Sequence, residues 1–195
     1  MQLHRRDVVD KATQLLDDYG IADLTMRRLA RELNVSPGAL YWHFADKQEL
    51  LGAVADRILE PTTRVDAHPA WQDGMTAVSS ALRDALLSTT DGAELVSASF
   101  AAGKSAALND ILTRLSSAAT EAGIDRGHAE LVARTIVYYV LGFTADEQSR
   151  IQWDAAGALS EEQSILTVDP SARFAFGLHL LVTGVAHATV PRSAV

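Results

Sequence analysis

Between Leu33 and Leu40 the chain reads Asn34-Val35-Ser36-Pro37-Gly38-Ala39, a run that ends one helix and starts another within four residues. Asn tolerates the left-handed backbone that a chain adopts when it turns sharply out of a helix. Val35 supplies an apolar plug for that turn. Ser36 is a favoured N-cap residue, and Pro37 suits the first helical position, where an N–H would have no helical partner. Two short helices joined by so tight a turn make a helix-turn-helix, and the flanking sequence agrees with it. Upstream, Val8, Val9, Ala12, Leu15, Leu16 and Tyr19 recur at helical spacing, and Gly20 is placed to end that helix. Thr25 can cap the second helix, whose inward face is Leu29, Ala30 and Leu33. Downstream, Asp46 with Glu49 three residues on has the pattern of a capping box, opening a fourth helix through Leu50, Leu51, Val54 and Ile58.

The rest of the sequence is also helical in pattern. Helices are expected near 70–89, 93–102, 104–122, 126–149 and 171–189, with 152–169 either a loop or a short helix, and no stretch shows strand-like alternation. Pro61 and Pro69 bracket a polar segment that we take as a boundary. The expected architecture is therefore all-α: an N-terminal three-helix bundle with a helix-turn-helix over residues 1–60, then a helical domain over 61–195. The absence of cysteine excludes disulfides, thiolate metal sites and a thiol nucleophile. Arg5, Arg6, Asp7, Asp10 and Lys11 do not suit a signal peptide. The longest apolar block, Ile136 to Phe143, is far shorter than the roughly 20 residues of a membrane helix. A cytoplasmic location is expected, with no cofactor and no membrane partner.

The second helix of the motif carries the functional signal. A recognition helix lays its N-terminal half in the major groove and presents side chains to base edges. Here that half is Ser36, Pro37, Gly38 and Ala39, small enough for close approach, followed by Tyr41, Trp42 and His43. Leu40 and Phe44, four apart, face inward. The competing reading is an aromatic core cluster, but a helix of about 3.6 residues per turn cannot turn three adjacent side chains inward. The net charge of −8 argues against nucleic acid only for the chain as a whole. Between Thr25 and Lys47 the basic residues Arg27, Arg28, Arg31 and Lys47 outnumber Glu32 and Asp46, so this segment is +2, and phosphate contacts depend on local charge.

Three runs, Leu24-Thr25-Met26-Arg27-Arg28-Leu29-Ala30, Leu40-Tyr41-Trp42-His43-Phe44 and Asp46-Lys47-Gln48-Glu49-Leu50-Leu51, resemble the DNA-binding domain of the TetR (tetracycline repressor) family over residues 4–60. The resemblance implies that Thr25, Tyr41 and Lys47 hold phosphates, and that Arg27 can reach a base, such as a guanine in bidentate fashion. Ser36, Pro37, Gly38, Ala39, Trp42 and His43 would complete the groove-facing surface. Arg28 is a further candidate, with a solvated helix charge as its alternative; Arg31 reads as such a charge. A scattered second resemblance, to tetracycline repressors themselves, runs through Trp71, Ala85-Leu86-Leu87, Asp91-Gly92-Ala93, Leu141-Gly142 and Phe176-Gly177-Leu178. It implies a ligand-binding body but breaks at the drug site. Val96 stands where the resembled repressors have a metal-binding histidine, and Val78 and Thr63 replace two drug-contacting polar residues. Asp146 or Glu147 retains a carboxylate near an acid of that site. Valine cannot hold magnesium, so the expected effector is not tetracycline and the expected metal content is none. A pocket of Val78, Leu82, Val96, Phe100, Leu112, Leu115, Val137, Tyr138 and Leu141 would suit a hydrophobic small molecule, although residues of this kind also form ordinary core.

Residues 131–143 are apolar almost all round, and the last helix has one stripe through Phe174, Leu178, Leu181, Val182 and Val185 and another through Phe176 and Leu180. Such helices must be covered on every side, which points to a homodimer. A two-fold dimer implies a palindromic operator on double-stranded DNA, and ligand binding is expected to lower operator affinity. Two other functions compete with this reading. An enzyme finds no support: Gly103-Lys104-Ser105 lacks the glycine a phosphate loop needs at position 98, which is alanine. His179 and His187 stand about 12 Å apart along one helix, too far to share a metal. A helical small-molecule-binding or partner-binding protein without sequence-specific DNA binding remains the alternative, and steeply salt-dependent DNA binding is what separates the two.

Overall fold

A computed structural model describes residues 3–160, 164 and 169–188. Its helices are α1 (Arg5–Tyr19), α2 (Met26–Glu32), α3 (Pro37–Tyr41), α4 (Lys47–Leu59), α5 (Trp71–Leu87), α6 (Gly92–Ala102), α7 (Ala106–Glu121), α8 (Arg126–Ala155) and α9 (Pro170–His187), with short 3-10 turns at Ile21–Asp23 and Glu60–Arg64. No strand occurs among the described residues. The all-α expectation holds. α8 runs six residues beyond its expected end at 149, and much of the uncertain 152–169 segment lies outside the described residues.

Two compact units divide the chain, one of residues 1–63 with 84–109 and one of 64–83 with 110–195. The sequence boundary near residue 60 falls close to the first division. The first unit also takes in Asp84–Asn109, for which the sequence gives no local cue. Long-range bonds explain it. Asp17 accepts from the Thr90 N–H at 2.9 Å and Asp91 from the Ile21 N–H at 3.0 Å. Asp56 of α4 accepts from the Ser105 hydroxyl at 2.7 Å and the Ala107 N–H at 2.9 Å, at the start of α7. The Gly103-Lys104-Ser105 run is thus a helix-to-helix turn. Gly103 ends α6 with φ 64°, and the Ser105 hydroxyl accepts from the Leu108 N–H at 3.1 Å.

The first unit's core is built from the periodic residues of four helices. Val8, Ala12, Leu16, Leu24, Leu29, Leu40, Phe44, Leu50 and Val54 are all buried. Tyr19, expected on the inward stripe of α1, is exposed, because it stands at the last turn, where Gly20 redirects the chain at φ 76°. Leu33 is only half-buried at the C-cap of α2. α4 packs against α6 and the turn after it. At Gly52 a Cβ would lie 2.5 Å from the Lys104 carbonyl oxygen and 2.9 Å from its carbon, and backbone cannot swing aside as a side-chain tip can. Gly52→Ala should therefore lower stability by about 1–3 kcal/mol despite alanine's better helix propensity. An unchanged denaturant midpoint would show that this approach does not hold in solution.

In the second unit, Met75, Val78 and Leu82 of α5, Ile111 and Leu115 of α7, Ala133, Ile136, Val137, Val140 and Leu141 of α8, and Phe174, Leu178, Val182 and Val185 of α9 are buried. The ring of Tyr139 stacks on Phe174 with centroids 5.6 Å apart and lies 5.8 Å from Phe143. Its hydroxyl donates to the Phe174 carbonyl at 2.8 Å, and it occupies the space a Cβ at Gly177 would need. Of the longer α9 stripe only Leu181 is half-buried rather than buried. Phe176 and Leu180 of the other stripe are exposed, as are Leu131 and Tyr138 of α8.

Candidate nucleic-acid interface

Thr25 caps α2 as expected: its hydroxyl accepts from the Arg28 N–H at 3.1 Å. At the other end Asn34 takes φ 54°, and the Val35 N–H reaches back to the Ala30 carbonyl at 2.9 Å, which closes the turn. Ser36 has the extended backbone of an N-cap, but its hydroxyl makes no capping bond. The start of α3 rests on Pro37 and on the Ala39 N–H to Ser36 carbonyl bond at 3.0 Å. α3 is only five residues long, and Leu40 and Phe44 anchor it with no exposed surface at all. The helical period then forces the neighbours outward. Trp42 is 91% exposed and Tyr41 53% exposed.

Thr25, Arg27, Ser36, Pro37, Gly38 and Lys47 are also exposed, while Ala39 and His43 are half-buried. The structure sets Arg28 apart from this group. Its Nη1 is paired with Asp23, its guanidinium lies 4.0 Å above the Tyr19 ring, and its Nε is buried without a partner. That position orders the loop before α2 and gives the exposed Tyr19 ring a neighbour.

Two residues outside the expected set hold α3 in place. Arg5 Nη1 donates to the His43 carbonyl at 2.7 Å and to Glu49 Oε1 at 2.8 Å, and its guanidinium lies 4.2 Å from the Phe44 ring centroid. Glu49 Oε2 accepts from the Ala45 N–H at 2.8 Å, one residue before the N–H a capping box would use, while Asp46 accepts from the Glu49 N–H at 2.7 Å. The Asp46–Glu49 spacing made the cap legible. The Arg5 contact, 44 residues away in sequence, had no local signal. The Ala45 N–H and then Arg5 hold the Glu49 carboxyl below its ordinary value. A lowered folded value favours the folded state above the unfolded value, about 4.3, and that contribution disappears as pH falls through the folded value. Glu49→Gln should therefore flatten the acid limb of stability against pH. A limb identical to wild type would sink this assignment.

The expected ligand-pocket residues fall in both units. Val96 and Phe100 belong to the first unit, and the other seven to the second. Val78, Leu82, Leu115, Val137 and Leu141 are buried and Leu112 is half-buried. Tyr138 is exposed, because Val137 and Leu141, four apart, take the inward face of α8 and turn it outward. Two concave surfaces of the second unit, each about 370 Å³, are lined by other residues. One lies between α8 and α9, the other between α5 and α9. No group of three metal-ligating side chains occurs among the described residues, and the buried Val96 offers magnesium no ligand.

A capped helix, a turn closed on a left-handed asparagine and a short anchored helix with an outward tryptophan define a helix-turn-helix DNA-binding regulator. The chain belongs to the TetR family. Its residues 8–54 match the model of the bacterial regulatory proteins of the tetR family, and residues 66–163 that of the tetracyclin repressor-like C-terminal domain. The class E tetracycline repressor of Escherichia coli is 31% identical, covering 91% of this chain and 88% of its own. Solved structures agree. BioQ of Mycobacterium smegmatis is 60% identical with a TM-score of 0.88, over 95% of this chain and 99% of that one. A BioQ crystallised with its natural double-stranded DNA operator is 56% identical with a TM-score of 0.83, over 96% and 100% of the two chains. Among the described residues no helix is long and apolar enough to cross a membrane.

Proposed function

We propose that this protein is a homodimeric repressor that grips a palindromic operator and releases it when a small, largely apolar molecule occupies the second unit. The observation that carries the reading is the outer surface of α3. Folding needs Leu40 and Phe44, which are buried, but gives no reason for a tryptophan 91% exposed beside them. Thr25, Arg27, Ser36 to Ala39, Tyr41, Trp42, His43 and Lys47 are the residues we assign to DNA, with Arg28 acting through the order it gives the loop before α2. The BioQ co-crystallised with its operator supports double-stranded DNA as the partner class.

The dimer reading is supported by the apolar side chains that the second unit leaves outside. Leu131, Tyr138, Phe176 and Leu180 are exposed on α8 and α9. The groove between these helices is lined by Ile124, Val132, Ile136, Leu181 and Val185 among others. A second copy related by a two-fold axis would cover this surface and set two reading heads about one DNA turn apart, or a multiple of it. An effector then needs only to bind one arrangement of the pair more tightly to change their spacing. Such a protein works in the bacterial cytoplasm.

The test is binding to DNA flanking the coding sequence, followed by fluorescence anisotropy as salt is varied, with sedimentation for mass. The expected result is a dimer whose specific affinity falls on the order of a thousandfold between 50 and 200 mM salt, as six or so phosphate contacts require. A folded dimer that forms no specific complex at low salt would leave the ligand-carrier alternative. A monomer at micromolar concentration would remove the dimer from the proposal.

A further inference from the structure

The interior of the second unit holds a polar layer among apolar neighbours. Arg83 and Glu147 are both buried and joined by two bonds, Nε to Oε2 at 2.9 Å and Nη2 to Oε1 at 2.6 Å. Arg83 also reaches the Ser171 hydroxyl at 3.4 Å, and its guanidinium lies 5.0 Å from the Phe174 ring centroid. Nearby on the same two helices, the hydroxyls of Ser79 and Thr144 are buried without any hydrogen-bond partner. Both residues have no exposed surface. Helix interiors commonly satisfy such hydroxyls on the carbonyl one turn back, and native cores rarely leave a buried polar atom unpaired.

The helix directions place the two hydroxyls in one layer. Arg83, late in α5, meets Ser171 and Phe174 at the start of α9, while the earlier α5 residues Gln72 to Ser80 share a groove with Ala175 to Ala186. α5 and α9 are therefore antiparallel. Tyr139 of α8 meets Phe174, while residues 124–136 share the other groove with 180–188, so α8 and α9 are antiparallel too. It follows that α5 and α8 run parallel. Ser79 precedes Arg83 by four residues on the same face, about 6 Å along the axis, and Thr144 precedes Glu147 by three, about 4.5 Å. Both hydroxyls thus lie on the same side of the ion pair.

We propose that this layer receives the polar end of the effector, and that the end is uncharged: an amide, carbonyl or hydroxyl on an apolar body. This rests on the ligand-responsive reading above. Within the layer Arg83 and Glu147 carry opposite charges and already hold each other through two bonds. A carboxylate or ammonium beside them would be a buried charge without a counter-ion. Two hydroxyls, each able to donate and accept, match a neutral hydrogen-bonding group. The α5–α9 groove supplies the route for the apolar body. Its apolar wall is Ala175, Leu178, Val182 and Ala186 of α9, which runs towards Phe174 and Ser171, where the layer begins; the rest of its lining is polar and includes Asp73 and His179.

Calorimetric titration of the full chain with octanamide, octanoate and octylamine tests the assignment, because the three share one chain length and differ in end charge. Octanamide should bind at least about tenfold more tightly than either charged probe, about the worth of one buried hydrogen bond. The near-isosteric double variant Ser79→Ala, Thr144→Val should weaken octanamide about tenfold or more and leave the melting temperature of the free protein unchanged or raised. Equal binding of the three probes, no binding by any, or a double variant with wild-type affinity overturns the proposal. A lowered melting temperature of the free variant also overturns it, since the hydroxyls would then already be satisfied by a buried water. If octanamide binds through the layer while operator affinity stays constant, the site stands and the ligand-responsive reading fails.

Discussion

Replacing Tyr41 and Trp42 together with alanine should weaken operator binding by about a hundredfold or more and barely change the stability of the free protein. The size follows from counting contacts. A good polar or stacking contact to DNA is worth about 1–3 kcal/mol, and two of them multiply into about one and a half to four orders of magnitude in affinity. The small stability effect follows from exposure. Trp42 is 91% and Tyr41 53% exposed, and α3 is held by Leu40 and Phe44, which the substitutions leave alone. Substitutions at such surface positions usually stay within about 0.5 kcal/mol. Anisotropy on labelled operator with a thermal melt on the same samples reads both quantities. Affinity within threefold of wild type, with an unchanged melt, would mean that this surface is not the one that reads DNA.

Glu147→Ala should produce the largest loss of stability of any single substitution considered for this chain, about 3–5 kcal/mol. The reason is the arginine left behind. Arg83 and Glu147 retain only 9% and 6% of side-chain exposure and hold each other through two bonds. Removing the acid takes away both of its bonds to the buried guanidinium beside Phe174 and the charge that balances it there. A loss of that size is a large share of the roughly 5–15 kcal/mol that holds a domain folded. The double variant Arg83→Met, Glu147→Leu should recover most of it, because it removes both charges and keeps the volume. Chemical denaturation of the two variants decides the matter. If Glu147→Ala costs less than about 1 kcal/mol, or the double variant is the less stable of the two, the pair is not buried as described.

The helices and their ends were legible in the sequence because the signals are local. Asn34, Ser36-Pro37 and Asp46 with Glu49 lie within a few residues of the ends they mark, and Leu40 and Phe44 announce their face through the period of one helix. That same period requires an outward aromatic at 41–43, and this marks the surface we assign to DNA. Local patterns fail where chain segments far apart in sequence meet. The Arg5 hold on the His43 carbonyl, the Asp56 bond to the start of α7 and the inclusion of Asp84–Asn109 in the first unit all join residues with no common periodicity. The nine residues read as an apolar pocket divide between the two units for the same reason. Hydrophobicity ranks which positions are buried, but the two units share these residues between them and α8 turns Tyr138 outward. Glu147 could be read only as a carboxylate of uncertain use, because its partner lies 64 residues away on another helix. The sequence by itself determined the all-α class, the helix-turn-helix and its outward face, since each follows from propensity and period over short spans. Only the tertiary structure decided which charges are buried together and which hydroxyls are left without partners, because those depend on the register of α5, α8 and α9, which no single helix encodes.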